Sequence, residues 1–99
     1  MILAAAIKYK IKKTNKTVVL CGARHGDIFK QLHDLGFGPK SEGEFIELEQ
    51  GFIDHHNKFL SREQAFKHAK RCGQLADKII YDRENGGIGG LRLISEDLW

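Results

Sequence analysis

The chain has 99 residues, of which 41% are apolar and 29% are charged, a balance typical of soluble globular proteins. This length suits one folding unit with one core, and it leaves little volume for an enclosed ligand cavity. The formal net charge of +3 is too small to indicate nucleic acid by itself, so we expect no long nucleic acid among the partners.

Membrane attachment and disulfide chemistry are not indicated. The apolar start of the chain ends at Lys8, which makes it too short for a signal sequence or a membrane span, so we expect no membrane partner. Cys21 and Cys72 fall at apolar positions of predicted elements and show no CxxC spacing. They are predicted to be buried thiols in a reducing compartment.

The chain begins with a predicted β-hairpin. In Ile2–Lys12 every second residue from Ile7 onward is apolar and the residues between are lysines, which predicts a strand with one buried face. Thr17–Cys21 is rich in β-branched residues and is predicted to return beside it. The lysine row is interpreted as a solvated face that also discourages edge pairing.

A glycine-containing turn then leads into the first predicted helix, with Arg24 and His25 at its start. Helix N-termini present free backbone amides and the positive end of the helix dipole, so they favour anions. Arg24 adds a guanidinium fork and His25 a titratable donor, which together predict a phosphate site. The alternative is that Arg24 pairs with a carboxylate and His25 only caps the helix. Gly36 is the predicted end, with Phe37 contacting Leu32.

The central part of the sequence predicts a hairpin that leads into a second helix. Residues 44–49 are a short strand or a helical turn, and residues 51–60 form two strands around a polar turn. Ser61 and Gln64 have the spacing of a capping box. The core-facing stripe of the following helix is predicted to contain Ala65, Phe66, Ala69, Cys72, Leu75 and Ala76.

Two more strands are predicted near the end, at Lys78–Tyr81 and Leu91–Ile94, joined by a glycine-rich connection between Asp82 and Gly90. The predicted fold is therefore α+β, with an antiparallel sheet of about five or six strands and two helices packed on it.

No catalytic or metal-binding constellation is evident. His55 and His56 are adjacent on a predicted turn, where their side chains point apart, and no third ligand has suitable spacing. Neither cysteine lies at a glycine elbow. We therefore predict a non-enzymatic protein with no catalytic residues, no metal and no cofactor.

Binding of a nucleotide is better supported by the residue types. Cationic side chains can contact phosphates, aromatic side chains can stack on a base, and side-chain amides can read an adenine edge. The candidates for phosphate are Arg24, His25, Lys58, Arg62 and Arg92; for stacking Phe52, Phe59, Phe66 and Trp99; for the base edge Asn57 and Gln74. For most of the aromatic residues the core is the stronger interpretation.

An ordered set of motifs spans nearly the whole chain: Ala-Ile-Lys-Tyr, Gly-Ala-Arg-His, Glu-Gln-Gly-Phe-Ile, Phe-Leu-Ser-Arg-Glu-Gln-Ala, Cys-Gly-Gln and Ser-Glu-Asp-Leu-Trp. The set resembles a widespread family of small bacteriophage proteins, the first of the Thoeris anti-defence families. The resemblance implies a sponge that sequesters cyclic ADP-ribose isomers without cleaving them, in the cytoplasm of the infected bacterial host. It also implies homodimers or higher homo-oligomers with ligand sites between subunits, and cyclic oligonucleotides as further ligands of some members. Relatives often carry a polar residue where this chain has Gly26.

Two other functions stay open from the sequence. One is a small phosphodiesterase or nuclease that uses His25, His55 or His56 as acid and base. The other is a protein-interaction module that blocks a host factor through the lysine face or Trp99.

Overall fold

The computed structural model describes residues 1–36, 44–87 and 90–99. Four strands in these ranges form one antiparallel sheet in the order β2-β1-β3-β4. The elements in chain order are β1 (Ile2–Ile11), β2 (Lys16–Gly22), α1 (His25–Asp34), β3 (Phe45–Asp54), β4 (Phe59–Ser61), α2 (Arg62–Arg71), α3 (Asp77–Glu84) and a 3-10 turn at Ser95–Asp97. The predicted α+β class and antiparallel sheet are confirmed, but the predicted numbers of strands and helices are wrong.

One reason for the lower strand number is that β3 is a single strand through residues 45–54, not two short ones. Lys8 pairs with Glu49 and Tyr9 pairs with Glu47, so Leu48 lies in a β-bulge without a partner on β1. The extra residue shifts the alternation of side chains within β3. That shift is why residues 44–49 look imperfectly alternating in the sequence.

The two strands predicted near the end of the chain are also wrong. Residues 78–81 lie in α3, where the backbone amides of Ile79 and Ile80 both donate to the carbonyl of Ala76. A run of four apolar-rich residues does not distinguish a strand from a helix. Residues 91–94 form no strand. The Leu93 amide donates to the Arg62 carbonyl, and the Arg62 guanidinium donates to the Leu93 carbonyl.

The core lies on one face of the sheet, which α1 and α2 cover. Apolar side chains of β1 and β3 meet Ile28 and Leu32 of α1 and the alanines of α2, where small side chains let the helix approach closely. The residues that are buried in this layer are Ile2, Ala5, Ile7, Tyr9, Ile28, Leu32, Phe52, Leu60, Ala65, Phe66, Ala69, Leu75 and Leu93.

The ends of α2 confirm one prediction and correct another. The Ser61 hydroxyl accepts the Gln64 amide at 3.1 Å, and the Gln64 side chain accepts the Ser61 amide at 3.0 Å, as a capping box requires. The helix ends at Arg71, because Gly73 takes a positive φ of 75°. Cys72 is therefore exposed and not part of the buried stripe.

The thiol of Cys21 is less buried than predicted, and Gly36 lies at the end of α1 as predicted. Cys21 is half-buried on β2, and burial raises the pKa of its thiol. Gly36 follows α1 with a positive φ of 91°. The predicted contact of Phe37 with Leu32, and residues 88 and 89 of the predicted glycine connection, lie outside the described residues.

Candidate functional site

The predicted phosphate site at the start of α1 has Arg24 at the N-cap and His25 as the first helical residue. The His25 side chain is 8% exposed, and both ring nitrogens have partners. Nε2 lies 2.8 Å from the carbonyl oxygen of Gly51, and Nδ1 lies 2.6 Å from the hydroxyl of Ser95. Because a carbonyl only accepts, Nε2 carries the proton and Nδ1 accepts from Ser95. His25 therefore joins α1, β3 and the 3-10 turn and has no donor free for a phosphate.

This arrangement makes His25 a source of pH-dependent stability. Burial is the main cause that lowers the pKa of His25, and the charge of Arg62 lowers it further, against the opposing effects of the Gly51 carbonyl, Glu96 and Glu47. The unfolded chain takes up a proton below a pH of about 6.5, whereas the folded chain resists it to lower pH. The contribution of His25 is thus fully present above about pH 6.5 and is lost as the pH falls toward the lowered pKa.

We expect the loss of unfolding free energy between pH 7.5 and pH 5.5 to be smaller in His25→Gln than in the wild type, by up to about 1.4 kcal/mol, because pH 5.5 lies about one unit below the unfolded pKa of histidine. Urea titrations at both pH values measure it. His68, whose pKa burial also lowers, contributes equally to both proteins, so the difference isolates His25. Equal losses of unfolding free energy in the two proteins would contradict the assignment of this pH dependence to His25.

Arg24 and Trp99 come together at the surface above this histidine. Arg24 is exposed, and its guanidinium donates to the backbone carbonyl of Trp99. The Trp99 indole is 39% exposed and stacks on Phe52 with ring centroids 6.5 Å apart. Phe52 is fully buried and also meets His25 edge-on, so its ring has no face open to a base.

Arg62 and Arg92 line one groove of about 390 Å³ between β3 and the start of α2. The Arg62 guanidinium donates to the Leu93 carbonyl at 2.9 Å and to the Gln50 side chain at 2.6 Å. Arg92 is largely exposed, and its Nε lies 3.6 Å from Glu63. The other lining residues are Glu47, Leu48, Glu49, Gln50, Ser61 and Glu63.

The groove combines groups that suit an anionic, hydroxyl-bearing ligand. Guanidinium groups donate paired hydrogen bonds to phosphate oxygens, and carboxylates accept hydrogen bonds from hydroxyl groups. Arg62 is held by the two bonds to Leu93 and Gln50, so its orientation is set before any ligand arrives. We take this groove, defined by Arg62, Arg92, Glu47, Glu63 and Gln50, as the candidate functional site and call it the arginine groove.

A family model for the phage T4 y16D protein matches residues 1–99. The chain belongs to the phage T4 y16D protein family. This finding confirms the sequence-based interpretation that the chain is a small phage protein. Searches of the curated proteins and of the solved structures find no significant match.

The remaining candidate residues of this y16D-family protein lie apart from the arginine groove. Phe66 is buried in the core, so its ring has no face open to a base. The Gln74 amide is occupied by the backbone of Ile2, to which it bonds at 2.5 and 3.0 Å. Asn57 and Lys58 lie in the β3–β4 turn, where Asn57 has a positive φ of 62°. That turn is held by Asp54, whose pKa the amide of Lys58 keeps below its usual range.

The histidines of the y16D-family chain do not assemble a metal site. In the described ranges no three side chains among His, Cys, Asp and Glu converge on one point. His55 and His56 are exposed on the turn, with ring centroids 4.0 Å apart. None of the described helices is long and apolar enough to cross a bilayer.

Sequence reasoning missed three residues that shape this part of the molecule. Gln50 orients Arg62, and the buried pair Arg83 and Asp97 holds the segment that carries Arg92: Arg83 donates to Asp97 at 2.6 and 2.9 Å and to the Arg92 carbonyl at 2.7 Å. Gln50 lies 12 residues from Arg62, and Asp97 and Arg92 lie 14 and 9 residues from Arg83. No local pattern in the sequence marks these pairs.

Proposed function

We propose that this y16D-family protein binds and sequesters a cyclic ADP-ribose isomer without cleaving it, as a phage anti-defence sponge that blocks Thoeris immunity. It acts in the cytoplasm of the infected bacterial host. The proposal joins the family membership with the motif resemblance described above. Such a ligand offers a pyrophosphate, two riboses and an adenine base, and each part calls for a different kind of side chain.

The observation that carries the proposal is that two guanidinium groups, of Arg62 and Arg92, line the same groove. A pyrophosphate bears two negative charges on adjacent phosphorus centres, and charge-assisted hydrogen bonds from arginine are among the strongest that proteins make. Arg62 supplies a fixed fork, and the exposed side chain of Arg92 can close over a ligand. The carboxylates of Glu47 and Glu63 are suited to ribose hydroxyls.

The size and openness of the arginine groove support a shared site. Its volume of about 390 Å³ falls within the range of small-molecule sites. It is open to solvent along β3, beyond the three residues that pair with β4. We propose that a second copy completes it in a homodimer or higher homo-oligomer, as small domains often do.

Binding without turnover is supported by the setting of Ser95, whose hydroxyl contacts a histidine that could act as a general base. Ser95 lies 2.6 Å from His25, but both side chains are buried and neither can reach a substrate. The enzymatic alternative then rests on the exposed histidines His55 and His56, which lie at the β3–β4 turn and do not line the arginine groove.

We expect cyclic ADP-ribose isomers to raise the melting temperature of the wild type by mass action, and Arg92→Ala to weaken binding about 10- to 100-fold, as loss of a charged hydrogen bond does. Arg92 forms its ion pair at the surface, so the substitution should leave the fold intact. Arg71→Ala removes the same charge from the far end of α2 and should bind as the wild type does.

Analysis of the small molecule released by denaturing the complex separates the functions. Intact ligand supports sequestration, whereas an altered product supports a phosphodiesterase. No thermal shift with any cyclic ADP-ribose isomer or cyclic oligonucleotide would contradict the proposal and favour an interaction module. If Arg92→Ala and Arg71→Ala weaken ligand binding equally, the arginine groove is not the binding site.

A further inference from the structure

The positive charge of this protein is concentrated at one end of the sheet. The first 26 residues contain six of the 16 basic residues and no acidic residue; the first carboxylate is Asp27. Five of the six belong to the β1–β2 hairpin, namely Lys8, Lys10, Lys12, Lys13 and Lys16. None of them takes part in an ion pair in the described part of the chain. The small net charge of +3 therefore conceals a strongly basic hairpin.

The fold places part of this charge on the sheet face that α1 and α2 leave uncovered. Ile7 and Tyr9 are buried in the core, so Lys8 and Lys10, which alternate with them, lie on the opposite face. We call this surface the open face. β1 is a central strand of the sheet, and alternate residues on it are about 6.8 Å apart. The lysines thus form a row along the middle of the open face, toward the hairpin turn.

An aromatic ring lies beside this row. Phe59 on β4 pairs with Ile53 on β3, and Ile53 pairs with Ala4 on β1. Ala4 lies on the same face of β1 as Lys8, so Phe59 also lies on the open face. Its ring passes over Gly51, because a Cβ added at Gly51 would lie 2.7 Å from Cζ of Phe59. The Lys8 ammonium lies over the ring, 4.6 Å from its centroid. Phe59 is half-buried, and its ring gives a base a stacking surface only once the Lys8 side chain has turned from the ring to a phosphate.

We propose that the open face binds single-stranded nucleic acid, with phosphates on the lysine row and a base on the Phe59 ring. Proteins that bind single strands without sequence preference combine a positive track for the backbone with aromatic stacking platforms. Glu49, which pairs with Lys8, adds an acceptor for base amino or sugar hydroxyl groups. The aromatic platform favours a single strand over an anionic membrane, which needs cations but no stacking surface. Lys8, Lys10 and Phe59 do not line the arginine groove, although Glu49 borders both surfaces. The proposal revises the expectation based on net charge.

The test uses the intact protein and fluorescence anisotropy with a labelled 15-nucleotide single strand of RNA or DNA. Each lysine–phosphate contact with a single strand contributes about −0.7 to the slope of log K against log salt. The double variant Lys8→Gln, Lys10→Gln should make that slope shallower by about 1.4. Phe59→Leu should weaken binding about fivefold or more at every salt concentration, because a stacked base is lost. A duplex of equal length should bind several-fold more weakly, since its bases cannot stack on the ring.

The matched control is Lys67→Gln, Lys78→Gln, which removes the same charge from exposed positions on α2 and α3. It should bind as the wild type does. The proposal is overturned if the wild type does not bind the single strand at 50 mM salt, or if both double variants weaken binding equally. Binding to phosphatidylglycerol vesicles but not to oligonucleotides would overturn it as well, and would identify a membrane surface. Circular dichroism of each variant confirms that the fold is retained.

Discussion

Replacing Arg83 with Met should lower the free energy of unfolding by about 3–5 kcal/mol, because it leaves the carboxylate of Asp97 buried without its partner. The two side chains are 3% and 5% exposed and share two hydrogen bonds. Stabilities of small domains are about 5–15 kcal/mol, so this loss is large enough to populate the unfolded state. Urea unfolding followed by circular dichroism measures it.

Two controls distinguish the buried pair from a loss of charge. The double variant Arg83→Met, Asp97→Leu should recover part of the lost stability, because no uncompensated charge stays in the interior. The recovery is partial because the Arg92 carbonyl and the Ile94 amide still lose their side-chain partners. Lys30→Met breaks the exposed ion pair of Lys30 with Asp34 on α1 and should change stability little. If Arg83→Met lowers the free energy of unfolding no more than Lys30→Met does, the buried pair of Arg83 and Asp97 does not stabilise the fold as proposed.

Replacing Gly51 with Ala should destabilise the protein by about 3 kcal/mol, at the upper end of what overpacking costs. A Cβ at this position would overlap the backbone carbonyl of Leu60 and would approach Cζ of Phe59 to 2.7 Å. The phenyl ring can rotate, but the carbonyl belongs to β4, so the short β3–β4 ladder has to separate. The hydrogen bond from His25 to the Gly51 carbonyl would be disturbed by the same movement.

Gly26→Ala provides the matched control for this substitution. Gly26 lies in α1, and a Cβ added there meets no atom within 4 Å. Alanine is a better helix former than glycine, so this variant should be as stable as the wild type or up to about 1 kcal/mol more stable. Thermal and urea unfolding of both variants, measured side by side, test the contrast. Equal stability of the two variants would mean that the close approach at Gly51 is relieved without cost, and would contradict this prediction.

The segment at residues 90–99 explains why both substitutions matter to the proposed site. Polar side chains from three helices bind it. Arg62 of α2 donates to the Leu93 carbonyl, and Arg83 of α3 donates to Asp97 and to the Arg92 carbonyl. His25 of α1 contacts the Ser95 hydroxyl. Arg92 reaches the arginine groove only because this segment is held in place. Loosening Arg83 should therefore affect ligand binding as well as stability.

Local patterns were sufficient where a few neighbouring residues carry the whole signal. The β1–β2 hairpin follows from alternating apolar residues, α2 from the capping box of Ser61 and Gln64, and the end of α1 from Gly36. Each of these signals acts within about four residues, because backbone hydrogen bonds and caps are local. For the same reason the sequence placed Arg24 and His25 correctly at a helix start.

Local patterns failed where burial depends on distant partners. His25 has the residue type of a phosphate donor, yet Gly51 and Ser95, 26 and 70 residues away, occupy its ring. Residues 78–81 have the composition of a strand, but no sheet edge receives them, and they lie in α3, which Arg83 ties to Asp97. Residues 44–49 and the predicted strand that begins at residue 51 belong to one strand, β3, because both pair with β1 on either side of the β-bulge at Leu48.

By itself the sequence determined the α+β class, the antiparallel hairpin, the helix caps and a charge pattern with its basic residues near the start of the chain. Only the tertiary structure decided which cations are free to bind. Arg83 and the ring of His25 are held in buried contacts, and Gln50 orients Arg62. Arg92 is exposed, and Lys8 and Lys10 lie half-buried on the open face without an ion pair among the described residues. The physical reason is that hydrogen bonding in the interior is settled between residues far apart in the chain, whereas a sequence pattern records only near neighbours.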